Sequence, residues 1–258
     1  MNEREAAILR LLRERGAVSA SELASVFAVS EMTIRRDLGN MAMRGLLVRT
    51  RGGCAASPVT DHSRSVSNAG DESHMKALIG MAAAALVKPK QTVMVDCGST
   101  VLEVARHLPE DAAISVVTTS LCVAEELHGT SIEVVLLGGL LRSRFPSVCG
   151  PLTEMLLGDL HADWLFVGCD GASSTDGFYM YDVNVSSLEQ SMIRIADRVV
   201  VVTESDKFGR HSFARYATPR EVHFVVTDDG LSATDRSQLE RQGVKVVIAG
   251  EAQEEDEE

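Results

Sequence analysis

The segment from Ser30 to Gly53 constrains the fold more than any other part of the chain, because it joins a helical apolar pattern to a basic hairpin. Ile34, Leu38 and Met41 recur at helical spacing, which predicts an amphipathic helix with one buried face. Ser30 is a suitable N-cap, since its hydroxyl can accept a hydrogen bond from an unpaired backbone N–H of the first turn. The segment therefore predicts a helix, a short strand over residues 46–51 and a turn at two glycines.

The polar face of this helix contains the residue types that read bases in the DNA major groove. Arginine can bond guanine with two nitrogens, and asparagine can pair in the same way with adenine. A basic hairpin beside such a helix would contact phosphates or an adjacent groove. The predicted groove-facing residues are Ser30, Thr33, Arg35, Arg36 and Asn40, and the predicted backbone or wing contacts are Arg44, Arg49 and Arg51. For the segment alone, the alternative is an ordinary solvated helix with an arginine pair.

The net charge of −12 argues at first against a nucleic-acid-binding protein. Its distribution reverses that argument. Residues 1–60 contain nine Arg, no Lys and six acidic residues, a balance of +3, so the remainder has a balance of −15. Only the basic part needs to meet phosphate, and the acidic part is repelled by DNA and stays clear of it.

Two further helices are predicted ahead of this segment. Residues 3–15 have a short amphipathic pattern, and Ser19–Glu22 has the S-x-x-E form of a capping box that opens the next helix. The inner side of that next helix contains Leu23, Val26 and Phe27. The sequence thus predicts a winged helix-turn-helix domain over residues 1–56 and a linker of Ser, Ala, Asn and Gly over residues 57–72.

From residue 73 onward, short β-branched runs alternate with helical patterns. This alternation indicates an α/β domain whose mostly parallel sheet is buried on both faces. The predicted strands are 92–96, 114–117, 132–136, 164–167, 199–202, 223–226 and 244–248. The fold class is therefore an N-terminal all-α, winged helix-turn-helix domain followed by an α/β domain over residues 73–250. Residues 251–258 form an acidic tail that we expect to be disordered.

Three consecutive strand-end loops contain residues suited to binding an anion, and ligands of such sheets bind at the carboxyl ends of the strands. D-C-G-S-T at 96–100 joins a strand to a helix, where free N–H groups can hold a phosphate. T-T-S at 118–120 repeats the arrangement, and the glycines at 138–139 precede an arginine. Helix capping explains each loop alone, but three on one edge favour a phosphate pocket. The predicted effector-binding residues of these loops are Asp96, Gly98, Ser99, Thr100, Thr119, Ser120, Gly139 and Arg142.

Three residues farther along the chain complete the predicted effector site. Asp170 follows a strand and could bond sugar hydroxyls. Glu189 lies at the start of a predicted helix, and Lys207 follows the next strand. The alternatives are a charge that interacts with the helix dipole for Glu189 and an ordinary surface charge for Lys207.

The runs V-S-E-M-T-I-R-R-D-L and R-G-L-L-V-R-T-R-G-G resemble the DNA-binding signature of the DeoR family of bacterial repressors. The rest of the chain resembles the effector domain of that family through D-C-G-S-T, V-T-T-S, L-L-G-G-x-x-R and E-S-D-K-F-G. The resemblance implies a DNA-binding repressor of sugar or polyol metabolism genes that a phosphorylated sugar releases from its operator. It also implies a homo-oligomer, dimer or tetramer, assembled by residues 73–250.

That effector domain is in turn similar to ribose-5-phosphate isomerase, so an enzyme is an alternative. Glu189 and Lys207 fall where the isomerase has its E-K and D-x-S-K segments, and Asp170 begins a D-G-A run like its D-G-A-D-E. Ser173 and Ser174 stand where the isomerase has two acids, which leaves the acid–base set incomplete. We therefore predict a regulator without catalytic residues. An isomerase with an attached DNA-binding domain and a transcriptional activator stay open as alternatives.

The five cysteines are scattered without a C-x-x-C pair, which predicts neither a zinc site nor a disulfide framework. Reduced thiols fit the cytosol, and the N-terminal stretch lacks a signal-peptide core. No apolar run approaches the length that crosses a bilayer. The sequence predicts a cytoplasmic protein with no metal or cofactor. Its expected partners are double-stranded operator DNA, a phosphorylated sugar or polyol and further copies of itself.

Overall fold

The computed structural model describes residues 4–5, 7–8, 11–12, 17–27, 29–43, 47–50, 52–55, 71–142 and 145–251. The chain divides into two compact units, here called the head (Met1–Ser73) and the body (His74–Glu258). Several predictions fall outside the described residues: Arg44, Arg51, residues 57–70 of the linker and the acidic tail from residue 252. Asn40 is described as part of a helix, but its side chain is outside the described part.

The head combines helices with a three-stranded antiparallel sheet. The described residues between 4 and 12 are helical. The elements that follow are β1 (Ala17–Ser19), α1 (Ala20–Phe27), α2 (Glu31–Met43), β2 (Val48–Thr50) and β3 (Gly53–Ala55). The strand order is β1-β3-β2. The helices and the hairpin were predicted, whereas β1 was missed because a three-residue strand depends on its pairing with β3 rather than on its own pattern.

Helix α2 is capped and buried as its sequence predicts. The Thr33 amide donates to the Ser30 hydroxyl at 3.2 Å, which confirms Ser30 as the N-cap. Ile34, Leu38 and Met41 are fully buried in the core of the head. The opposite face of α2 is therefore free to present its polar side chains to solvent.

The prediction for one side chain of α1 was wrong. Val26 was expected inside, but 56% of it is exposed. The residues of α1 that pack into the core follow the i, i+3, i+4, i+7 pattern of a helix, which places position 26 beside the buried stripe and not within it. These packed residues are Ala20, Leu23, Ala24 and Phe27.

The body contains a seven-stranded parallel sheet with helices on both faces. The elements up to the middle of the sheet are α3 (Asp71–Ala84), β4 (Thr92–Val95), α4 (Ser99–His107), β5 (Ser115–Thr118), α5 (Leu121–Leu127), β6 (Glu133–Leu136), β7 (Leu140–Leu141), β8 (Val148–Cys149), α6 (Pro151–Leu157) and β9 (Ala162–Val167). The remaining elements are β10 (Gly171–Ser173), β11 (Gly177–Met180), α7 (Val183–Arg194), β12 (Ala196–Val202), β13 (Ala214–Ala217), β14 (Phe224–Thr227), α8 (Ala233–Arg241) and β15 (Lys245–Ile248).

The large sheet has the strand order β15-β14-β12-β9-β4-β5-β6. These are the seven strands that the sequence predicted, with ends shifted by up to three residues. Two smaller sheets, β10-β11-β13 and β7-β8, were not predicted. Their strands are short and antiparallel, and they lack the continuous β-branched runs of the central strands.

Both faces of the large sheet are buried, which is the predicted arrangement. In β12, Val199 and Val201 pack into one apolar cluster, whereas Val200 and Val202 pack into the other. The alternation follows from the two-residue period of a strand. No helix in the described part of the chain combines the length and apolar character that a membrane span needs.

Candidate functional site

The solvent face of α2 holds the arginine pair that the sequence predicts for base contacts. Arg35 and Arg36 are both exposed, and the Arg35 guanidinium lies 3.0 Å from Glu31 one turn earlier. Ser30 and Thr33 hydrogen bond to each other through their hydroxyls at 2.9 Å, so both also serve the start of the helix. An exposed ion pair of this kind is weak and can exchange Glu31 for a phosphate or a base edge.

Arg49 connects the wing to this helix. Its guanidinium donates to the Arg35 carbonyl at 3.1 Å and passes beside Gly39. Sequence reasoning assigned Arg49 to the DNA backbone or the wing, and this contact shows a structural role as well. The contact joins β2 to α2, the two elements that hold the predicted DNA contacts.

In the body, the loops after β4, β5 and β6 meet at one edge, because these three strands are adjacent and parallel. Arg142 reaches back across this edge. Its guanidinium lies 3.6 Å from Cys97 Sγ, 3.2 Å from Ser147 Oγ and 3.5 Å from Asp182 Oδ2, and it stacks on Phe145. The structure thus brings the predicted cation to the first predicted loop. Ser147 and Asp182 were not predicted.

Asp96 and Glu189 are the most unusual groups at this edge. Both side chains are buried, and none of their four carboxyl oxygens has a hydrogen-bond partner of good geometry in the described part of the chain. Burial raises the pKa of Asp96 to about 6. The nearby Cys97 amide, Glu189 and Arg142 lower this pKa, but they do not cancel the effect of burial. Burial and the Asp96 carboxyl raise the pKa of Glu189 well above its ordinary value. The protonated form of Glu189 is therefore favoured over a wider pH range than in an exposed glutamate, and the pair can then offer both a donor and an acceptor.

In the second loop, one hydroxyl group caps a helix and another has no hydrogen-bond partner among the described residues. The Ser120 hydroxyl accepts from the Val123 amide and caps α5, which is the ordinary role that the sequence left open. The neighbouring Thr119 hydroxyl is buried and lacks a hydrogen-bond partner among the described residues. Thr119 is thus the member of this loop with unused hydrogen-bonding capacity.

The first loop leads into α4 through a glycine with left-handed backbone. Gly98 has φ +149 at the N-cap position, where no described side chain caps the helix. The Thr100 hydroxyl donates to Glu204 Oε2 at 3.2 Å, and Lys76 Nζ lies 3.2 Å from Glu204 Oε1. Sequence reasoning missed Lys76 and Glu204. Glu204 begins the quoted E-S-D-K-F-G run, whereas nothing in the pattern of α3 singles out Lys76.

Gly139 has a packing role. The Thr153 hydroxyl donates to the carbonyl of Gly138 at 3.0 Å, and a Cβ on Gly139 would overlap that hydroxyl. The glycine pair therefore lets the chain pass close to α6. The pair also sets the path of the chain that leads to Arg142, and the effector contact predicted for Gly139 stays a prediction.

Asp170 and Lys207 both lie near the buried thiol of Cys169. Asp170 Oδ2 accepts the Tyr181 amide at 2.8 Å, and Lys207 Nζ is 3.8 Å from Asp206 Oδ1. Burial raises the pKa of Cys169 to about 12; the Asp170 carboxylate adds to this rise, whereas the Thr203 hydroxyl and the Lys207 ammonium group oppose it. Both charges are therefore close to Cys169, which in turn donates to Thr203.

Four predicted residues form one electrostatic group, because Asp96, Asp170 and Arg142 all influence the pKa of Glu189. Thr100 instead hydrogen bonds to Glu204, which precedes Lys207 by three residues in the sequence.

The five cysteines have free thiols. Within the described residues, no group of three His, Cys, Asp or Glu side chains is arranged to hold a metal ion. Buried carboxyls are suited to hydroxyl groups, and cations near a helix start are suited to an anion.

Two family models match the chain, and they cover its two parts. Residues 4–58 match a DeoR-like helix-turn-helix domain, and residues 71–229 match the DeoR C terminal sensor domain. The chain is 30% identical to the putative aga operon transcriptional repressor of Escherichia coli O157:H7, over 97% of this chain and 94% of that protein. It is 28% identical to the glycerol-3-phosphate regulon repressor of Escherichia coli K12, over 88% and 90%.

Among solved structures, the chain is similar to a ribose 5-phosphate isomerase from Methanocaldococcus jannaschii. The two share 19% identity over 52% of this chain and 53% of the other, with a TM-score of 0.39. At that distance the likeness indicates no function for this chain.

Proposed function

The chain belongs to the DeoR family of transcriptional regulators, and we propose that it represses sugar or polyol metabolism genes until a phosphorylated sugar or polyol releases it from DNA. The head would hold the operator and the body would bind the effector. One observation supports both parts of this proposal: the two kinds of binding group lie in different units. An arginine pair is exposed on a helix of the head, and carboxyl oxygens with no hydrogen bond of good geometry from the described residues are buried in the body.

The relatives favour repression and a phosphorylated effector, since the names of both include a repressor and one includes glycerol 3-phosphate. The chemistry of the body points the same way. Lys76, Arg142 and the start of α4 could neutralise a phosphate, while Asp96 and Glu189 could bind hydroxyl groups. A ligand with an anionic end and a hydroxyl-rich end fits both sets.

Replacement of Arg35 or Arg36 by Ala is expected to weaken operator binding. Loss of one arginine–guanine contact costs about 1–3 kcal/mol, or roughly five- to 150-fold in affinity. The matched control is Arg236→Ala in the body, because Arg236 forms the same type of exposed pair with Glu240 at 3.0 Å, one turn along a helix. Gel-shift titration on an operator selected from random duplexes measures the effect. Equal affinity of the Arg35/Arg36 double variant and Arg236→Ala would contradict the assignment.

We also propose that the body self-associates through an apolar surface formed by β6, β7 and α6. Seven side chains there are between 44% and 71% exposed: Val135, Leu136, Leu140, Leu141, Leu152, Met155 and Leu156. β6 is an edge strand of the large sheet, and Leu156 lies beside Gly138, which joins β6 to β7. Large exposed apolar surfaces mark interaction sites, and a second copy would supply the second head that a paired operator needs.

The double variant Leu152→Asp, Met155→Asp is expected to separate the assembly into single chains of 27.8 kDa, because two carboxylates would lose their hydration in the interface. Analytical ultracentrifugation measures the mass. Phe213→Asp is the control, since Phe213 is 75% exposed and lies outside this surface. An unchanged mass of the double variant, or equal dissociation of the control, would place the interface elsewhere.

We further propose that the protein is a cytoplasmic regulator and not an isomerase. Ser174 stands at one of the two acidic positions of the isomerase, and its hydroxyl lies within hydrogen-bonding distance of Asp235 Oδ1 (2.6 Å) and Gln238 Oε1 (3.0 Å). Ser174 thus makes a structural contact at a position where the isomerase has an acidic residue. Steady-state turnover of ribose 5-phosphate by the purified protein, lost in Glu189→Gln, would overturn this part of the proposal.

A further inference from the structure

A carboxylate from the chain itself occupies donors at the start of α4. Glu204 accepts the Thr100 hydroxyl with one oxygen and pairs with Lys76 through the other, both at 3.2 Å. The Lys76 and Glu204 side chains are 11% and 19% exposed, so the pair is largely shielded from water. The three residues come from α3, from the first turn of α4 and from the segment after β12.

The groups that hold the Glu204 carboxylate are of the kind that bind an anionic ligand. A lysine, a threonine hydroxyl and the first turn of a nine-residue helix form a donor set suited to a phosphate group. The loop that leads into this helix begins at Asp96, whose buried carboxyl receives no hydrogen bond of good geometry from the described residues. The site thus has one anion in place, the Glu204 carboxylate.

We propose that Glu204 is a built-in competitor for the phosphate group of the effector. In the ligand-free protein its carboxylate takes the donors, and the effector must displace it in order to bind. A shielded ammonium group requires a counter-ion, so Lys76 exchanges Glu204 for the phosphate. This inference rests on the phosphate site of the proposed function and adds a residue that sets the effector concentration at which the protein responds.

Displacement of Glu204 also provides a route to a conformational signal. The Glu204 carbonyl accepts the Lys207 amide at 3.1 Å, at the start of the turn Ser205–Lys207. The Ser205 amide in turn donates to Asp228 at 2.7 Å. A shift of Glu204 therefore acts on a turn that is anchored to the end of β14. The ligand and the free conformation compete for the same donors, which is the differential interaction that a population shift requires.

The test is calorimetric titration of the full chain with inorganic phosphate and with glycerol 3-phosphate. Glu204→Gln keeps the shape of the side chain but removes its charge, and we expect both ligands to bind at least tenfold more tightly than to the wild type. Glu204→Asp keeps the charge but is one methylene too short to span both donors, so its affinity should lie between the two. Glu126→Gln is the matched control: it removes a carboxylate from an exposed pair with Arg106 and should change nothing.

The outcomes separate this inference from the function on which it rests. Wild-type binding of glycerol 3-phosphate with equal or weaker binding by both Glu204 variants would overturn the competitor and leave the phosphate site intact. Absence of binding in wild type and variants alike would overturn both. If Glu204→Gln fails to fold by circular dichroism, Glu204→Asp decides the question, since affinity no higher than that of the wild type would overturn the competitor.

Discussion

Replacement of Thr100 by aspartate is expected to abolish the release of operator DNA by a phosphorylated effector. Thr100 lies in the first turn of α4 and is only 7% exposed, so the new carboxylate would face the phosphate at short range. Two unit charges about 4 Å apart in a partly buried site repel by about 4 kcal/mol, which corresponds to roughly a thousandfold in affinity. Operator affinity without effector is measured alongside, because the new carboxylate would also repel Glu204, which the Thr100 hydroxyl contacts and whose displacement is the proposed conformational signal.

Thr100→Asn is the matched control for this experiment. Asparagine has the shape of aspartate and no charge, so the difference between the two variants isolates the electrostatic term. The measurements are calorimetry with glycerol 3-phosphate and with glycerol, and operator release followed by fluorescence anisotropy. A normal response of Thr100→Asp, or equal binding of glycerol and glycerol 3-phosphate by the wild type, would show that the loop is an ordinary capped turn.

The parts of the fold that the sequence predicts are those with a strong internal period. The buried stripe of α2 and the seven strands of the large sheet were identified because each contains its own apolar pattern. The strands β10, β11 and β13 were missed, since residues such as Gly171 and Gly177 have no strand pattern and their register is set by pairing. Local sequence thus predicts elements that would be buried in any arrangement, and tertiary contacts decide the others.

The candidate site shows the same limit more sharply. The loops at 96–100 and 118–120 were found because parallel strands place their carboxyl ends on one edge. The contact of Thr100 with Glu204 joins residues 104 positions apart, and the contact of Arg142 with Asp182 joins residues 40 positions apart. Such pairs have no signature in a single sequence. For Gly139 the pattern predicts a ligand loop, and the structure adds a close packing against Thr153 that no local pattern indicates.

Asp96 offers the clearest link between the candidate site and stability, and Asp96→Asn is expected to make the protein more stable at neutral pH. Burial raises the pKa of Asp96 from 3.8 to about 6, so the folded state favours the protonated form. This contribution to stability is fully present below about pH 4 and is lost as the pH rises through 6. The difference between the two pKa values corresponds to roughly 3 kcal/mol. Asparagine cannot ionise, so the variant should match the wild type near pH 4 and exceed it by up to that amount above pH 6.5.

Asp228 provides a control of opposite sign. Burial raises its pKa, but hydrogen bonds from Ser205 and the Gly230 amide outweigh burial and lower the pKa below the ordinary value. This contribution is present above the ordinary pKa and is lost as the pH falls through the lowered one. Asp228→Asn should therefore reduce the free energy of unfolding at neutral pH. Urea unfolding at pH 4, 5.5 and 7.5 measures both variants, and the same sign of change in both at pH 7.5 would contradict the assignment.

A buried carboxyl that destabilises the fold at neutral pH needs a reason to be there, and the proposed effector supplies one. No described residue makes a hydrogen bond of good geometry to the Asp96 oxygens, so hydroxyl groups of a sugar or polyol would satisfy them and offset part of the cost of burial. The same Asp96→Asn variant is therefore expected to gain stability and to lose effector affinity together, because an amide replaces an anionic acceptor with a weaker one. Calorimetry with glycerol 3-phosphate on the variant measures the second effect. Higher stability with unchanged effector affinity would separate Asp96 from the binding site and leave its burial without a functional explanation.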